Sequence, residues 1–316
     1  MTEAQSFILS LAAIYAIAAA AAVLSQSPAR ALSFIAPVAV LFCPAMIPAD
    51  EPLLRAAASI LSIDSLFRLV ELLRLETPEP LKARLSFLLP FPIFIALSDQ
   101  RGRMRQVSAA NGKDWLRALG GGGAFLLCWM ILETCADIPA LKMNHPLDHT
   151  FKFVLFVAAV EVGAQALCGL EHIAGFQTRP MVSRTWQSLI PAEFWRRWND
   201  RVHAWLYRHV FQPAGGASRP GRAIWCVCLF SGAFHELMFG IATSRFDGYQ
   251  FAFFTLQAPA IMASPRMKAF ARRGGGARAA LTRTATILWF WATSLLFFHG
   301  INRVIPIYYT SAPWLP

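Results

Sequence analysis

The sequence predicts an all-α, polytopic integral membrane protein of about eight transmembrane helices, and three observations predict it. Of its 316 residues, 56% are hydrophobic and only 15% charged, against about 25% charged in a soluble domain. The apolar residues gather into runs approaching the ~20 needed to cross a bilayer. Lys and Arg concentrate in alternate segments between those runs, which is the positive-inside pattern. The net charge of +11 is therefore a matter of loop distribution, and no nucleic-acid partner is expected.

The runs follow in order. Phe7–Ser25 and Ala31–Pro48 open the chain. Leu53–Leu75 comes next, with Asp64, Arg68 and Glu71 spaced i, i+4, i+7 on one helical face. That pattern suits a span whose polar face is buried in protein, or a helix lying in the interface. Ser86–Leu97 is short and holds Pro90 and Pro92, so a re-entrant or interfacial piece is expected. Leu116–Cys135, Phe151–Leu170, Ala223–Ile241, Gly248–Ala263 and Thr284–Ile301 complete the series. Segments 98–117, 171–222 and 265–283 hold five, eight and six Lys/Arg, whereas 136–150 and 243–249 hold one each. This alternation places the three basic segments in the cytoplasm and the C-terminus outside. The whole chain, 1–316, is expected to form one membrane-embedded domain. Its parts are N-terminal spans (1–97), a cytoplasmic segment (171–222) and C-terminal spans (223–316).

Several chemistries are absent. The six cysteines sit in or beside apolar runs with no CxxC pair, so they are expected to pack rather than bind metal. Gly120–Gly123 and Gly274–Gly276 lack the following Lys-Ser/Thr of a phosphate loop. His235-Glu236 begins an HExxH pattern, but Phe239 stands at its second histidine. No metal is expected.

Two stretches stand out against this apolar background. "EFWRRWNDRVHAWLYRHVFQP", Glu193–Pro213, is bounded by Pro191 and by Pro213 with Gly215-Gly216, which predicts one helix. On its wheel Trp195, Trp198, Val202, Trp205, Leu206 and His209 share one face, with Arg197, Arg201, Ala204 and Arg208 on the other. An amphipathic helix at the cytoplasmic interface, in contact with membrane lipids, explains all of these. It does not explain Asn199, an amide bordering the apolar face, which is expected to have a specific partner inside the protein. The second stretch is "FSGAFHELMFG", Phe230–Gly240. His235 lies about twelve residues into its run, near the bilayer midplane, where an ionisable group is a functional candidate. Ser231 and Gly232, a turn earlier, allow close helix packing or the approach of a thin substrate.

An asparagine in an "FWxRWN"-type segment followed some 36 residues later by an intramembrane histidine in "SGxxHE" resembles the membrane-bound O-acyltransferase superfamily, its wax-synthase branch above all. The resemblance rests on "PAEFWRRWND" and "FSGAFHELMF", within about Arg184–Gly240. It implies transfer of an acyl group from acyl-CoA to a lipophilic alcohol, with Asn199 and His235 as the functional pair. A neutral buried histidine can serve as general base. Asn199 can donate to the oxyanion, position the thioester or orient His235. Acyl-CoA is then a co-substrate rather than a resident cofactor. Arg184, Arg196, Arg197 and Arg201 become candidates for its phosphates, and Trp195 and Trp198 for its binding walls. His299 is a second candidate for the cavity of His235, and Glu236 is expected to have a structural partner. The competing class is a transporter or channel with His235 in a polar pathway and Glu161 as its clearest intramembrane acid.

Overall fold

The computed structural model describes residues 2–75, 79–96, 109–135 and 138–305, and every regular element among them is helical. Residues 98–108 of the first basic segment, and 306–316 of the C-terminus expected outside, lie beyond the described residues. Among the described residues five helices are long and apolar enough to cross a membrane: Glu3–Leu24 (α1), Gly112–Cys135 (α5), His145–Ile173 (α6), Pro220–Thr243 (α9) and Gly275–Val304 (α11). The chain is a multi-pass integral membrane protein. Two compact units form, Met1–Val107 with Leu237–Asp247, and Ser108–Glu236 with Gly248–Pro316.

The difference between five spans and the eight expected has local causes. Ala31–Pro48 does not make one helix. It breaks into Arg30–Ser33, Ala36–Phe42 (α2) and a 3₁₀ turn at Cys43–Met46, because Pro37, Pro44 and Pro48 lack the amide hydrogen a continuous helix needs. Pro52–Leu73 (α3) is 22 residues long but carries too many charges to count as an apolar span. Tyr249–Arg273 (α10) contains Pro259 and Pro265 and ends on Arg272-Arg273.

In the first unit α3 packs on α1 and α2 and buries its charges. Asp64 and Arg68 are 0% and 1% exposed, joined Oδ2 to Nε at 2.7 Å. Such a pair is tolerable in a dry interior only when its remaining donors and acceptors are met. They are met by the backbone beyond α4, Leu81–Phe87. Arg68 Nη1 donates to the Phe87 carbonyl at 2.6 Å and Nη2 to that of Pro92, while Phe94 N donates to Asp64 at 2.5 Å. Of Ser86–Leu97, read as a single short piece, the described residues 86–96 are thus the end of α4 followed by irregular backbone bound to a buried ion pair, and Leu97 lies outside the described residues. Arg55 does similar work. Its guanidinium donates to the carbonyls of Ile47 at 2.7 Å and Ile241 at 3.0 Å, and to Ser244 Oγ at 2.6 Å.

In the second unit α5 and α6 pack closely along their length. Gly121 and Gly169 make this possible, since a Cβ on either would stand 2.8 Å from Ala166 N or 2.5 Å from Ala118 N. Of the glycine run at 120–123 it is therefore Gly121 that serves helix packing, a Cβ on Gly122 or Gly123 meeting nothing within 4 Å. α10 and α11 form the other closely packed pair.

Candidate functional site

The Glu193–Pro213 stretch is not one helix. It forms Pro191–Arg197 (α7), Asp200–Leu206 (α8) and a π-helical turn at Tyr207–Phe211. The break falls at Asn199, whose backbone is extended (φ −167°) and whose Oδ1 accepts from Val202 N at 3.2 Å. Asn199 is the N-cap of α8. An asparagine before an aspartate is a helix-start signal, and it overrides the continuous 3.6-residue periodicity read across it. With Oδ1 occupied by the cap, the group Asn199 can offer a ligand is its NH₂.

The bent segment is tied down on all sides. Arg201 grips Glu171 at the end of α6 with both arms, Nη1 to Oε1 at 2.7 Å and Nη2 to Oε2 at 2.5 Å, and Nη2 also donates to the Arg179 carbonyl. Thr185 N and Oγ1 donate to Glu161, so the clearest intramembrane acid holds the loop before α7. Ala192 N donates to Ser264 Oγ of α10 at 3.1 Å, and Thr286 Oγ1 of α11 donates to the Leu189 carbonyl at 2.9 Å.

The tryptophans of α7 face inward. Trp195 packs on Phe254 and Phe290, with centroids 5.5 and 5.9 Å away, and Trp198 lies near-parallel to Phe194 at 5.3 Å. Trp195 thus fills space against α10 and α11, and Trp198 also meets Phe156 of α6 at 6.1 Å, so this face packs into the protein, which corrects the interfacial-anchor reading of it.

His235 sits on α9 beside them. Its Nδ1 is 2.8 Å from the Ser231 carbonyl. A carbonyl only accepts, so Nδ1 carries the hydrogen, and in the neutral ring Nε2 is the free base. The ring lies tilted against Phe254, with centroids 4.0 Å apart. α9 and α10 approach closely at Gly232, where a Cβ would meet the Phe251 carbonyl at 3.0 Å. Glu236, one residue on, accepts from Gly248, Gln250 and Phe251 amides at 2.8–3.2 Å. It caps the start of α10, where the helix dipole favours an anion, and so fixes the helix that carries Phe254.

Two cavities meet at His235. The larger, about 420 Å³, is lined by Asn199, His203, Tyr207, Cys228 and Ser231 among others, and its size suits a small-molecule site. The smaller, about 50 Å³, is walled by aromatic rings including Phe156, Phe290 and Phe297. His235, Trp195, Trp198 and Phe254 line both. Desolvation by its neighbours, and then the Arg196 charge, hold the His203 imidazole below its usual pKa.

The structure therefore brings together Asn199, His235, Trp195 and Trp198. Arg184, Arg196 and Arg197 lie along the same segment but off both cavity walls. Arg184 and Arg196 are exposed, and Arg197 donates to the Arg184 carbonyl at 3.2 Å. Arg201, proposed with them from sequence, has its guanidinium bound to Glu171. His299 lines neither cavity and stacks on Tyr249 at 4.0 Å. Tyr207 and Phe211 were not singled out from sequence. They reach the larger cavity through the π turn, a rare backbone frequent at functional sites, and no residue pattern announces it.

The membrane-bound O-acyltransferase family profile matches residues 140–301, which include every cavity residue named above. The chain is 30% identical to diacylglycerol O-acyltransferase 1C of Glycine max over 94 residues, 29% of this chain and 18% of that one. It is 27% identical to the probable sterol O-acyltransferase 2 of Schizosaccharomyces pombe over 139 residues, 42% of this chain and 29% of that one. It is 29% identical to diacylglycerol O-acyltransferase 1 of Arabidopsis thaliana over 93 residues, 29% of this chain and 18% of that one. The matches thus span less than a third of each relative. With the profile covering half the chain and the Asn199–His235 cavity inside it, this chain belongs to the membrane-bound O-acyltransferase family.

Proposed function

We propose that this protein transfers an acyl group from acyl-CoA to the hydroxyl of a lipophilic alcohol, in the manner of the wax-synthase branch. The observation that carries the reading is the fixed tautomer of His235, whose Nε2 is left as a base in a wall shared with Asn199. The alcohol oxygen bonds to the thioester carbon as Nε2 takes its proton. The tetrahedral intermediate then expels coenzyme A by breaking the C–S bond, and the thiolate takes the proton back from His235. Arg184, Arg196 and Arg197 are the cations placed to meet the coenzyme phosphates, and Trp195 and Trp198 form the wall the thioester passes.

The test is a screen of the purified protein with radiolabelled palmitoyl-CoA and acetyl-CoA. The acceptors are long-chain primary alcohols, diacylglycerol and a sterol, the last two prompted by the relatives. A labelled ester formed with the primary alcohols supports the reading. Product only with diacylglycerol or the sterol overturns the wax-synthase assignment, and no ester at all overturns acyl transfer.

Two further results are expected. Asn199→Ser keeps a capping oxygen but loses the amide. Turnover should fall about 10²-fold, the usual loss for one transition-state donor, while thermal stability stays near wild type. Asn199→Leu loses both and should add the ~1 kcal/mol of a missing cap. A Ser variant with full turnover reduces Asn199 to its cap. The acyl-CoA side is proposed to be cytoplasmic, so a topology reporter inserted after Leu141 should read external and one after Ala217 cytoplasmic. The opposite pattern reverses the orientation.

A further inference from the structure

Trp195 Nε1 is buried and has no hydrogen-bond partner among the described residues. An indole N–H can only donate, and buried tryptophans usually find an acceptor. Of the buried polar atoms left in this state, Trp195's alone belongs to a residue lining either cavity, and it lines both. The ring cannot easily turn to find a partner within the protein. It is packed against Phe253, Phe254 and Phe290, with centroids 5.5–6.1 Å away, and α7 is bolted at Ala192 to α10. A fixed, buried, unspent donor on cavity walls shared with a histidine base is the arrangement an oxyanion requires, since it has little reorganisation left to do when charge develops.

We infer that Trp195 is a catalytic residue whose indole N–H binds the carbonyl oxygen of the acyl thioester and holds the negative charge that collects there. This rests on the acyl-transfer reading above and assigns it a second donor, apart from Asn199. As the alcohol oxygen adds to the carbonyl carbon, the C=O π electrons move onto that oxygen, where Trp195 N–H meets them. They return as the C–S bond breaks, and His235 carries the proton between the alcohol and the departing thiolate.

The experiment needs no knowledge of the acceptor. Two ligands are titrated by calorimetry into wild type and Trp195→Phe. One is a long-chain alkyl-CoA thioether, which has no carbonyl. The other is the matching ketone, in which a methylene separates the carbonyl from sulfur. Trp195→Phe should bind the ketone about tenfold more weakly, the scale of one hydrogen bond, and the thioether unchanged. Equal weakening of both ligands, or of neither, overturns the inference and leaves the acyl-transfer reading standing. Failure of wild type to bind either ligand removes that reading and the inference with it. A benzothienylalanine at position 195, which exchanges N–H for sulfur at constant shape, should reproduce the phenylalanine result. If it binds the ketone like wild type, the loss in Trp195→Phe came from packing and the donor is withdrawn. With an active acyl-CoA and alcohol pair, the same substitution should lower kcat by about 10²-fold and leave KM nearly constant.

Discussion

His235→Ala should lower acyl transfer by about 10²–10⁴-fold, the usual contribution of a positioned general base, while the protein still inserts in membranes and binds an alkyl-CoA. Two features make the effect separable from damage to the fold. Among the described residues the ring's hydrogen bond is local, from Nδ1 to the Ser231 carbonyl one turn back. The ring also borders space on two sides, so truncation enlarges a cavity that already exists. The cap that fixes α10 belongs to Glu236 and survives. His235→Gln should be as inactive as the alanine variant, because an amide has no basic nitrogen. Near wild-type turnover of either variant, measured at matched concentration of folded protein, would remove His235 from the chemistry.

The largest effect on stability is expected at a residue outside the cavity. Glu171 is fully buried and Arg201 8% exposed, and their bidentate contact fixes α8 against the end of α6. Glu171→Ala leaves a guanidinium buried without its carboxylate, a change that costs about 3–5 kcal/mol when one partner of such a pair is removed. The Thr178 hydroxyl, which also donates to Glu171, loses its acceptor as well. Unfolding midpoints in detergent should fall accordingly, and turnover should fall with them, since Asn199 lies two residues before Arg201. The double variant Glu171→Ala/Arg201→Met should recover much of the stability, because removing both charges relieves the desolvation that removing one exposes. If Glu171→Ala unfolds at the wild-type midpoint, the pair does not hold the segment in place.

These two residues also mark what a sequence can and cannot say. His235 was visible because cost selects it: an ionisable group in the middle of an apolar run demands a reason. Asn199 was visible by the same logic, as an amide where the wheel wanted a hydrocarbon. Its local role was misread because periodicity was carried straight through a capping signal. Arg201 looked like a phosphate ligand because it sat on the polar face of that continuous wheel. Its carboxylate partner is 30 residues earlier, and pairing at that range depends on how α6 and α8 meet. The spans showed the same division. Long uniform runs such as α1 and α9 were found close to their bounds, whereas α11 starts at Gly275, well before Thr284 where its apolar run begins. Ala31–Pro48 was misjudged because hydropathy counts apolar side chains and ignores prolines. In Leu53–Leu75 spacing put Asp64 and Arg68 on one face, but what satisfies them is backbone from residues 87–94, which no side-chain pattern encodes.

Arg55 has a consequence for how the protein is made. Two of its acceptors, Ile47 and Ala45, precede it in the chain, but the Ile241 carbonyl lies 186 residues downstream and Ser244 Oγ 189. Synthesis runs from the N-terminus, so α3 leaves the ribosome long before α9 exists to complete that guanidinium's shell. An arginine within a helix entering the membrane is disfavoured by about 2.5–3.5 kcal/mol at the helix centre. For most of translation the nascent α3 therefore relies on earlier carbonyls and on water at its N-terminal end. Its final seat forms only when Leu237–Asp247 arrives, which makes the N-terminal unit one of the last parts of the molecule to be finished, although it is the first to be synthesised.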